Sequence, residues 1–251
     1  MLDDAGVRLV EAACDARINY FDTAHVYMRS EKICGQALRG KRQKVLLATK
    51  TMNRTRAGAE SQLAQSLHDL QTDYLDLWQI HRIQTKEEIE RVFGPGGALE
   101  AFVRAKKEGK ARFIGFTAVT DPEIHVAMLE RYDFDTILMP LHAADPHYMS
   151  FEKGVLPRAV EKNIGIIAMK VFADAMLLRA ITAEDCLRYA LSLPVACAIT
   201  GCTTLGQLQD HLRLARSFVP LTAEEKAALL TKTERLAGPQ LEYWKKSIVP
   251  T

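Results

Sequence analysis

Cysteine is scarce and unpatterned in this chain. Five cysteines are spread over 251 residues (Cys14, Cys34, Cys186, Cys197 and Cys202), and no two have C-x-x-C spacing. An odd set without that spacing argues against a zinc site, an iron–sulfur cluster or a disulfide framework. A reducing cytoplasm is the simplest compartment. Net charge is also small, +2 at neutral pH, so no strong field points to nucleic acid or an acidic membrane as partner. No apolar run approaches membrane-spanning length. Met1–Leu2–Asp3–Asp4 has neither the basic region nor the apolar stretch of a secretory signal.

The remaining composition is that of a globular chain, 48% hydrophobic and 25% charged. The length suits one large α/β barrel or two small domains. The basic clusters Arg39–Gly40–Lys41–Arg42 and Arg104–Ala105–Lys106–Lys107 fall where helix ends are expected. There they suit the negative end of the helix dipole and solvate the surface.

Apolar periodicity alternates between strand and helix along the whole chain. Strands are predicted at 18–22, 45–50, 74–80, 111–117, 135–139, 165–170 and 197–200. Helices are predicted at 3–16, from Ser30 to near Gly40, and at 58–71, 98–108, 152–163, 182–192, 205–217 and 222–236. One more helix opens at Asp121–Pro122. Asp3 and Asp4 suit the first helical turn, and Thr182 and Thr222 read as N-caps with acidic residues behind them. The segment 82–97 contains Phe93–Gly94–Pro95–Gly96–Gly97, a loop. With no linker and no change of composition, the alternation predicts one parallel-sheet α/β domain over 1–251. Seven strands are counted, and the chain opens on a helix. An eight-stranded barrel would therefore lack its first strand.

Three successive strand-like runs carry polar residues at their C-terminal ends. Ile18–Asn19–Tyr20–Phe21–Asp22 ends in a carboxylate, Val45–Leu46–Leu47–Ala48–Thr49–Lys50 in an ammonium, and Tyr74–Leu75–Asp76–Leu77–Trp78–Gln79–Ile80 runs into His81. Tyr27 follows the first run by five residues. A buried carboxylate is costly unless it is paired, so Asp22 needs a cation, and Lys50 is the one on offer. In a parallel β/α barrel such strand ends converge on the face that carries the chemistry. Each residue alone also has a plain structural reading, as a cap, a loop aromatic or a solvated strand end; the ordered quartet favours the chemical reading over that one.

Together, Ile18–Asn19–Tyr20–Phe21–Asp22–Thr23–Ala24 with Tyr27 and Ser30–Glu31, Ala48–Thr49–Lys50, Asp73–Tyr74–Leu75–Asp76–Leu77 and Gln79–Ile80–His81 resemble the aldo-keto reductase superfamily. The likeness continues through Gly109–Lys110–Ala111–Arg112–Phe113–Ile114–Gly115–Phe116, Ile167–Ala168–Met169–Lys170, and Leu193–Pro194 to Gly201. Met169–Lys170 looks like a bacterial branch whose members sometimes carry a C-terminal iron–sulfur domain; the sequence to Thr251 contains none of it. The resemblance implies an α/β fold, a (β/α)8 TIM barrel of the aldo-keto reductase type. It also implies NAD(P)H-dependent reduction of a small aldehyde, ketone or sugar carbonyl. Position by position, it makes Tyr27 the proton donor, Lys50 and Asp22 its tuning pair, and His81 the group that orients the carbonyl.

The chemistry explains those residue types. Hydride reaching a carbonyl carbon builds charge on the oxygen, which must be stabilised and protonated. A phenol is a weak acid near neutrality, and a neighbouring ammonium lowers its pKa. Lys50 is therefore expected to acidify Tyr27, with Asp22 holding Lys50 charged and in place.

The resemblance also assigns a cofactor, NADP with NAD as the alternative. Thr117 stands where the family often has Ser, followed by Ala118 where it has Asn. Met139 occupies a strand position where Gln is common, and Met169 replaces an aromatic that stacks on the nicotinamide. Lys170 either reaches the pyrophosphate or is a strand-end charge. Gly201–Cys202–Thr203–Thr204–Leu205–Gly206–Gln207 leads into a helix and suits a phosphate cradle, with Gly201 and Thr203 in the turn. Gln207 lies where relatives place a residue near the 2′-phosphate, and Asp210 with His211 replaces Glu–Asn near adenine. His142, Asp145, Pro146 and His147 form the one cluster suggestive of a metal. Without a helical H-x-x-x-H frame it reads as a polar, substrate-facing loop, and no metal is expected. The rival to an active reductase is a cofactor-binding barrel with little turnover, a redox sensor or regulatory protein.

Overall fold

The computed structural model describes residues 4–246. The predicted Asp3 of the first helical turn lies outside them. The chain divides into two compact units. The first comprises Met1–Arg82, Lys86–Phe116 and Cys202–Leu212; the second comprises Ile83–Thr85, Thr117–Gly201 and Arg213–Thr251.

The first unit runs α1 (Asp4–Asp15), β1 (Tyr20–Asp22), α2 (Ser30–Ala37), β2 (Leu46–Thr51), α3 (Arg56–Asp69), β3 (Leu75–Ile80), α4 (Lys86–Phe93), α5 (Ala98–Lys107) and β4 (Ala111–Thr117, of which all but Thr117 belong here). Its strands pair in parallel in chain order, with Asp22 opposite Ala48, Lys50 opposite Gln79 and Gln79 opposite Gly115. The β3 strand is buried along its whole length, as a parallel strand covered on both faces should be. Trp78 on β3 stacks flat on Phe102 of α5, with ring centroids 3.7 Å apart.

The second unit holds α6 (Pro122–Arg131), β5 (Thr136–Pro140), α7 (Phe151–Gly154), α8 (Leu156–Glu161), β6 (Gly165–Met169), α9 (Ala183–Leu191) and β7 (Cys197–Ala198). Helix α10 (Leu205–Arg216) starts in the first unit and ends in the second, and α11 (Ala223–Thr233) follows. Here too β5, β6 and β7 pair in parallel. Seven strands lie among the described residues, each within the predicted ranges to within a residue or two.

The caps follow the sequence. Thr182 and Thr222 each form a complete capping box, with Asp185 and Glu225 answering them, and Asp121 caps α6 ahead of Pro122. Two differences stand out. Lys86–Phe93 is a helix inside the stretch predicted only as a long connection; Ile89 and Val92 bury one side of it, too short a stripe to be distinctive in the sequence. The predicted helix 152–163 is two pieces joined at Val155, because Pro157 removes a donor N–H just after that point.

Arg42, expected to solvate the surface, instead pins the lower ends of two strands. It donates to the carbonyls of Val45 and Tyr74 at 3.1 and 2.9 Å, and pairs with buried Asp76 at 2.8 Å. Gly35 sets how closely α2 approaches α3, since a Cβ there would lie 2.4 Å from the carbonyl oxygen of Asp69. Overpacking of that kind costs about 1–3 kcal/mol. Gly35→Ala is accordingly expected to lower the denaturation midpoint in urea at unchanged slope. A variant as stable as wild type would show that α2 shifts freely.

Candidate active site

The sheet register of the first unit decides which side chains meet. In a parallel ladder, register partners point to the same side and alternate residues share a face. Asp22 is opposite Ala48, and Lys50 lies two residues beyond Ala48, opposite Gln79. Asp22, Lys50 and Gln79 thus share one face near the C-terminal strand ends. Lys50 is 2% exposed, and its ammonium donates to the Asp22 carboxylate and, at 2.8 Å, to the Thr23 carbonyl. The Gln79 amide donates to the other Asp22 oxygen at 3.3 Å. A lysine this deep is costly to bury unless it is paired and hydrogen-bonded, and both conditions are met.

Tyr27 sits in the loop that leaves β1. Its N–H donates to the Ala24 carbonyl at 2.9 Å and its carbonyl accepts from Ser30 N–H at 2.8 Å, while Thr23 Oγ1 donates to Ser30 Oγ at 2.7 Å. The loop is therefore a bonded turn leading into α2. The Tyr27 ring is half-exposed and meets the His81 imidazole edge-on, with centroids 5.6 Å apart. Lys50 Nζ stands 5.3 Å from the centre of the same ring. All four residues singled out from the strand ends lie in this cluster.

The electrostatics differ from the sequence expectation. Partial burial and the neighbouring Asp22 carboxylate raise the Tyr27 pKa, and only Arg82 pulls it down. Lys50, bonded to Asp22, does not offset this rise.

His81 follows β3 directly. Its N–H donates to the Thr51 carbonyl at 2.9 Å. Its own carbonyl accepts from Arg54 at 2.8 Å, and the same guanidinium nitrogen donates to the Arg82 carbonyl at 3.1 Å. Arg54 so holds the left-handed turn at Arg82, where φ is 52°. Burial, then Lys50, Arg54 and Arg82, push the His81 pKa down to about 3. The imidazole is neutral throughout the physiological range, able to donate from one nitrogen only. His125, fully buried in the second unit, is likewise pushed down to about 3 by burial.

These two histidines give the fold a signed acid dependence. Both have folded pKa values below the unfolded one, so the unfolded chain takes up protons first as pH falls below about 6.5. Each should remove about 1.4 kcal/mol of stability per pH unit between there and about pH 3. Urea midpoints measured at successive pH values should fall accordingly, and a flat profile from neutrality to pH ~4.5 would contradict neutral burial of both rings.

The residues assigned to the cofactor fall in both units. In the first, the side-chain oxygen of Gln207 accepts from Thr203 N–H at 2.8 Å, Thr203 Oγ1 at 3.0 Å and Thr204 N–H at 3.3 Å. Donors from the turn before α10 therefore converge on one oxygen. Gln207 fills that seat itself, and Asp210 lies exposed on the next turn of α10. In the second unit, Thr117 is buried and its carbonyl accepts from Ile83 N–H at 3.0 Å. Met139 is fully buried in β5, Met169 ends β6 half-buried, and Gly201 is exposed. Lys170 is left-handed, with φ 57°; it pairs with Asp174 at 2.7 Å and lies 5.0 Å from the Trp244 ring centre.

The loop read as substrate-facing proves to be a buried hub of the second unit. His142, Asp145 and Pro146 are buried, and only His147 is exposed. Asp145 accepts from Ser150 Oγ and from the N–H groups of Phe151 and Glu152, and pairs with Lys245 at 2.7 Å. Lys245 also lies against Glu242, whose carboxylate is 3.4 Å from His142 Nε2. The loop is polar because it receives a distant segment, a pairing no local pattern reveals. Gln79, Arg54 and Arg82 were also missed as site residues. The signal for Gln79 was available, since an amide in an otherwise apolar strand, two residues before His81, shares that residue's face.

Known proteins resemble this chain over most of its length. The model of the Aldo/keto reductase family matches residues 2–185. The uncharacterized oxidoreductase YqkF of Bacillus subtilis is 26% identical over 90% of this chain and 87% of its own length. The aldo-keto reductase YhdN of the same species is 30% identical over 72% of this chain and 56% of its own length. Among solved structures, the holo form of aldo-keto reductase AKR11C1 from Bacillus halodurans has the same fold, with a TM-score of 0.79 over 94% of this chain and 89% of that one at 24% identity. A Klebsiella pneumoniae aldo/keto reductase, solved with NADP and acetate, gives 0.75 over 92% and 86% at 24% identity. With the family model spanning most of its length, this α/β chain belongs to the aldo/keto reductase family.

Proposed function

We propose that this oxidoreductase reduces a small aldehyde, ketone or sugar carbonyl with NADPH, and that Tyr27 gives the proton. The observation that carries the reading is the T-shaped meeting of the Tyr27 and His81 rings, beside a Lys50 ammonium anchored by Asp22. The bound nicotinamide supplies the hydride; the chain supplies position, field and proton.

As charge grows on the substrate oxygen, the Tyr27 hydroxyl donates to it and then passes its proton. A raised pKa keeps that proton in place until the oxygen becomes basic enough to take it. Neutral His81 offers a second hydrogen bond without competing as an acid. The Lys50–Asp22 pair fixes a cation beside the phenol ring. Once the alcohol leaves, solvent reprotonates Tyr27.

The turn before α10 fits a phosphate. Its N–H groups and the Thr203 hydroxyl already hold one oxygen, that of Gln207, and a phosphate oxygen asks for the same donors. In the second unit the same reading gives Thr117, Met139, Met169, Lys170 and Gly201 to the cofactor, with Asp210 of the first toward adenine. The 1–251 chain is then one reductase domain. Nicotinamide fluorescence during titration with NADPH and NADH measures binding and preference. A panel of aldehydes, ketones and sugars, followed by loss of reduced-cofactor absorbance, measures turnover. Tight binding with no oxidation across the panel would favour the non-catalytic barrel instead.

A further inference from the structure

The charges around the cluster do not balance among the described residues. Three cations stand near His81: Lys50, Arg54 and Arg82. Lys50 is answered by Asp22, and Arg54 by Glu88 at 3.4 Å. Arg82 has no ion pair among the described residues, and it is exposed. Its place is fixed all the same. It follows His81 directly, adopts a left-handed backbone, and has its carbonyl held at 3.1 Å by buried Arg54. Its charge also reaches the reacting groups, lowering the pKa of both Tyr27 and His81. Beside it, the loop that carries Tyr27 exposes apolar surface: Val26 is 47% exposed, Tyr27 46% and Met28 93%, with Met28 also left-handed. An unanswered guanidinium and an apolar rim thus adjoin the same phenol.

Resting on the reductase reading above, we infer that Arg82 is a specificity residue that binds the carboxylate of an acidic carbonyl substrate, a molecule with an apolar body carrying an aldehyde or ketone and a carboxylate. A guanidinium presents two parallel N–H donors that match the two oxygens of a carboxylate. One excess positive charge calls for one negative charge, which favours a carboxylate monoanion over a phosphate dianion. The apolar rim of Val26 and Met28 suits a hydrocarbon or aromatic body.

The test compares para-carboxybenzaldehyde with its uncharged methyl ester, in wild type, Arg82→Met and Arg82→Lys. A charge-assisted hydrogen bond of ordinary strength corresponds to about a tenfold preference or more. In wild type, kcat/KM with NADPH should favour the acid over the ester by about that factor, and the preference should shrink as salt is raised. Arg82→Met should bring the ratio to near one, and Arg82→Lys should retain part of it. An acid-to-ester ratio near one in wild type, or one unchanged in Arg82→Met, overturns the inference. The same pair is also titrated as ligands by protein fluorescence, with oxidised cofactor present and without turnover. If neither compound is reduced, the reductase reading has failed. Tighter binding of the acid, lost in Arg82→Met, would then still support the carboxylate site, and equal binding of acid and ester would overturn it. Loss of cofactor affinity in Arg82→Met, with no change in the acid-to-ester ratio, would assign the residue to the cofactor and overturn it as well.

Discussion

Tyr27→Phe is expected to lower kcat for carbonyl reduction by about 10²–10⁴-fold while leaving NADPH affinity within a few-fold of wild type. The substitution removes one oxygen and keeps the ring that packs on His81 and Lys50, so the loop from Thr23 to Ser30 should hold its shape. Because burial and Asp22 raise the Tyr27 pKa, the wild-type rate should stay level from about pH 6 to about pH 9, and decline only above the ordinary tyrosine range near 10. The sign is fixed by the role, since a proton donor works while protonated and fails as pH rises through its pKa. Steady-state kinetics with fluorescence-measured cofactor binding decide the first point. Wild-type rates in the phenylalanine variant would remove Tyr27 as donor. A decline centred near neutrality would mean that Lys50 does acidify the phenol.

Lys245→Met should unfold the protein more readily, by about 3–5 kcal/mol, the usual cost of taking one partner from a buried ion pair. Lys245 is buried with Asp145 and Glu242, and also donates to the Tyr148 carbonyl at 2.7 Å. Without it, two carboxylates face each other out of water. Asp145 keeps three other donors, whereas Glu242 has, among the described residues, only the His142 ring close by, at 3.4 Å. Glu242→Gln placed on top of Lys245→Met should therefore recover part of the loss, a coupling that a double-mutant cycle in urea reads directly. For a chain of this size, the single variant should melt on the order of 10 °C lower. A change of a degree or less would mean that the segment around Lys245 contributes little to the folded second unit.

What could be read ahead of the structure divides along physical lines. Strand positions were legible because a strand buried on both faces, such as Leu75–Ile80, leaves an unbroken apolar run. Helix starts were legible where a hydroxyl or carboxylate caps them, as at Thr182, Thr222 and Asp121. The Asp22–Lys50 pair followed from the cost of an unpaired buried carboxylate, which admits few solutions. Residues whose partners lie far along the chain were not legible. Asp145 and Lys245 are one hundred residues apart, and nothing local to either says that they meet. The acidity of Tyr27 was misjudged for a related reason. The sequence places an ammonium nearby but does not show how far burial and the Asp22 carboxylate outweigh it at the phenol. Gln207 shows the same limit, since a turn that reads as an open phosphate cradle is closed by its own side chain.

The most direct measurement is the fate of label from NADPH carrying deuterium at the transferable position of its nicotinamide, incubated with the protein and an aldehyde. Mass spectrometry of the alcohol should find one deuterium on the former carbonyl carbon with wild type, and almost no alcohol with Tyr27→Phe. Labelled cofactor that binds tightly yet is recovered intact beside unreacted aldehyde, across acidic and neutral aldehydes alike, would contradict the assignment of the Tyr27, His81, Lys50 and Asp22 cluster to carbonyl reduction.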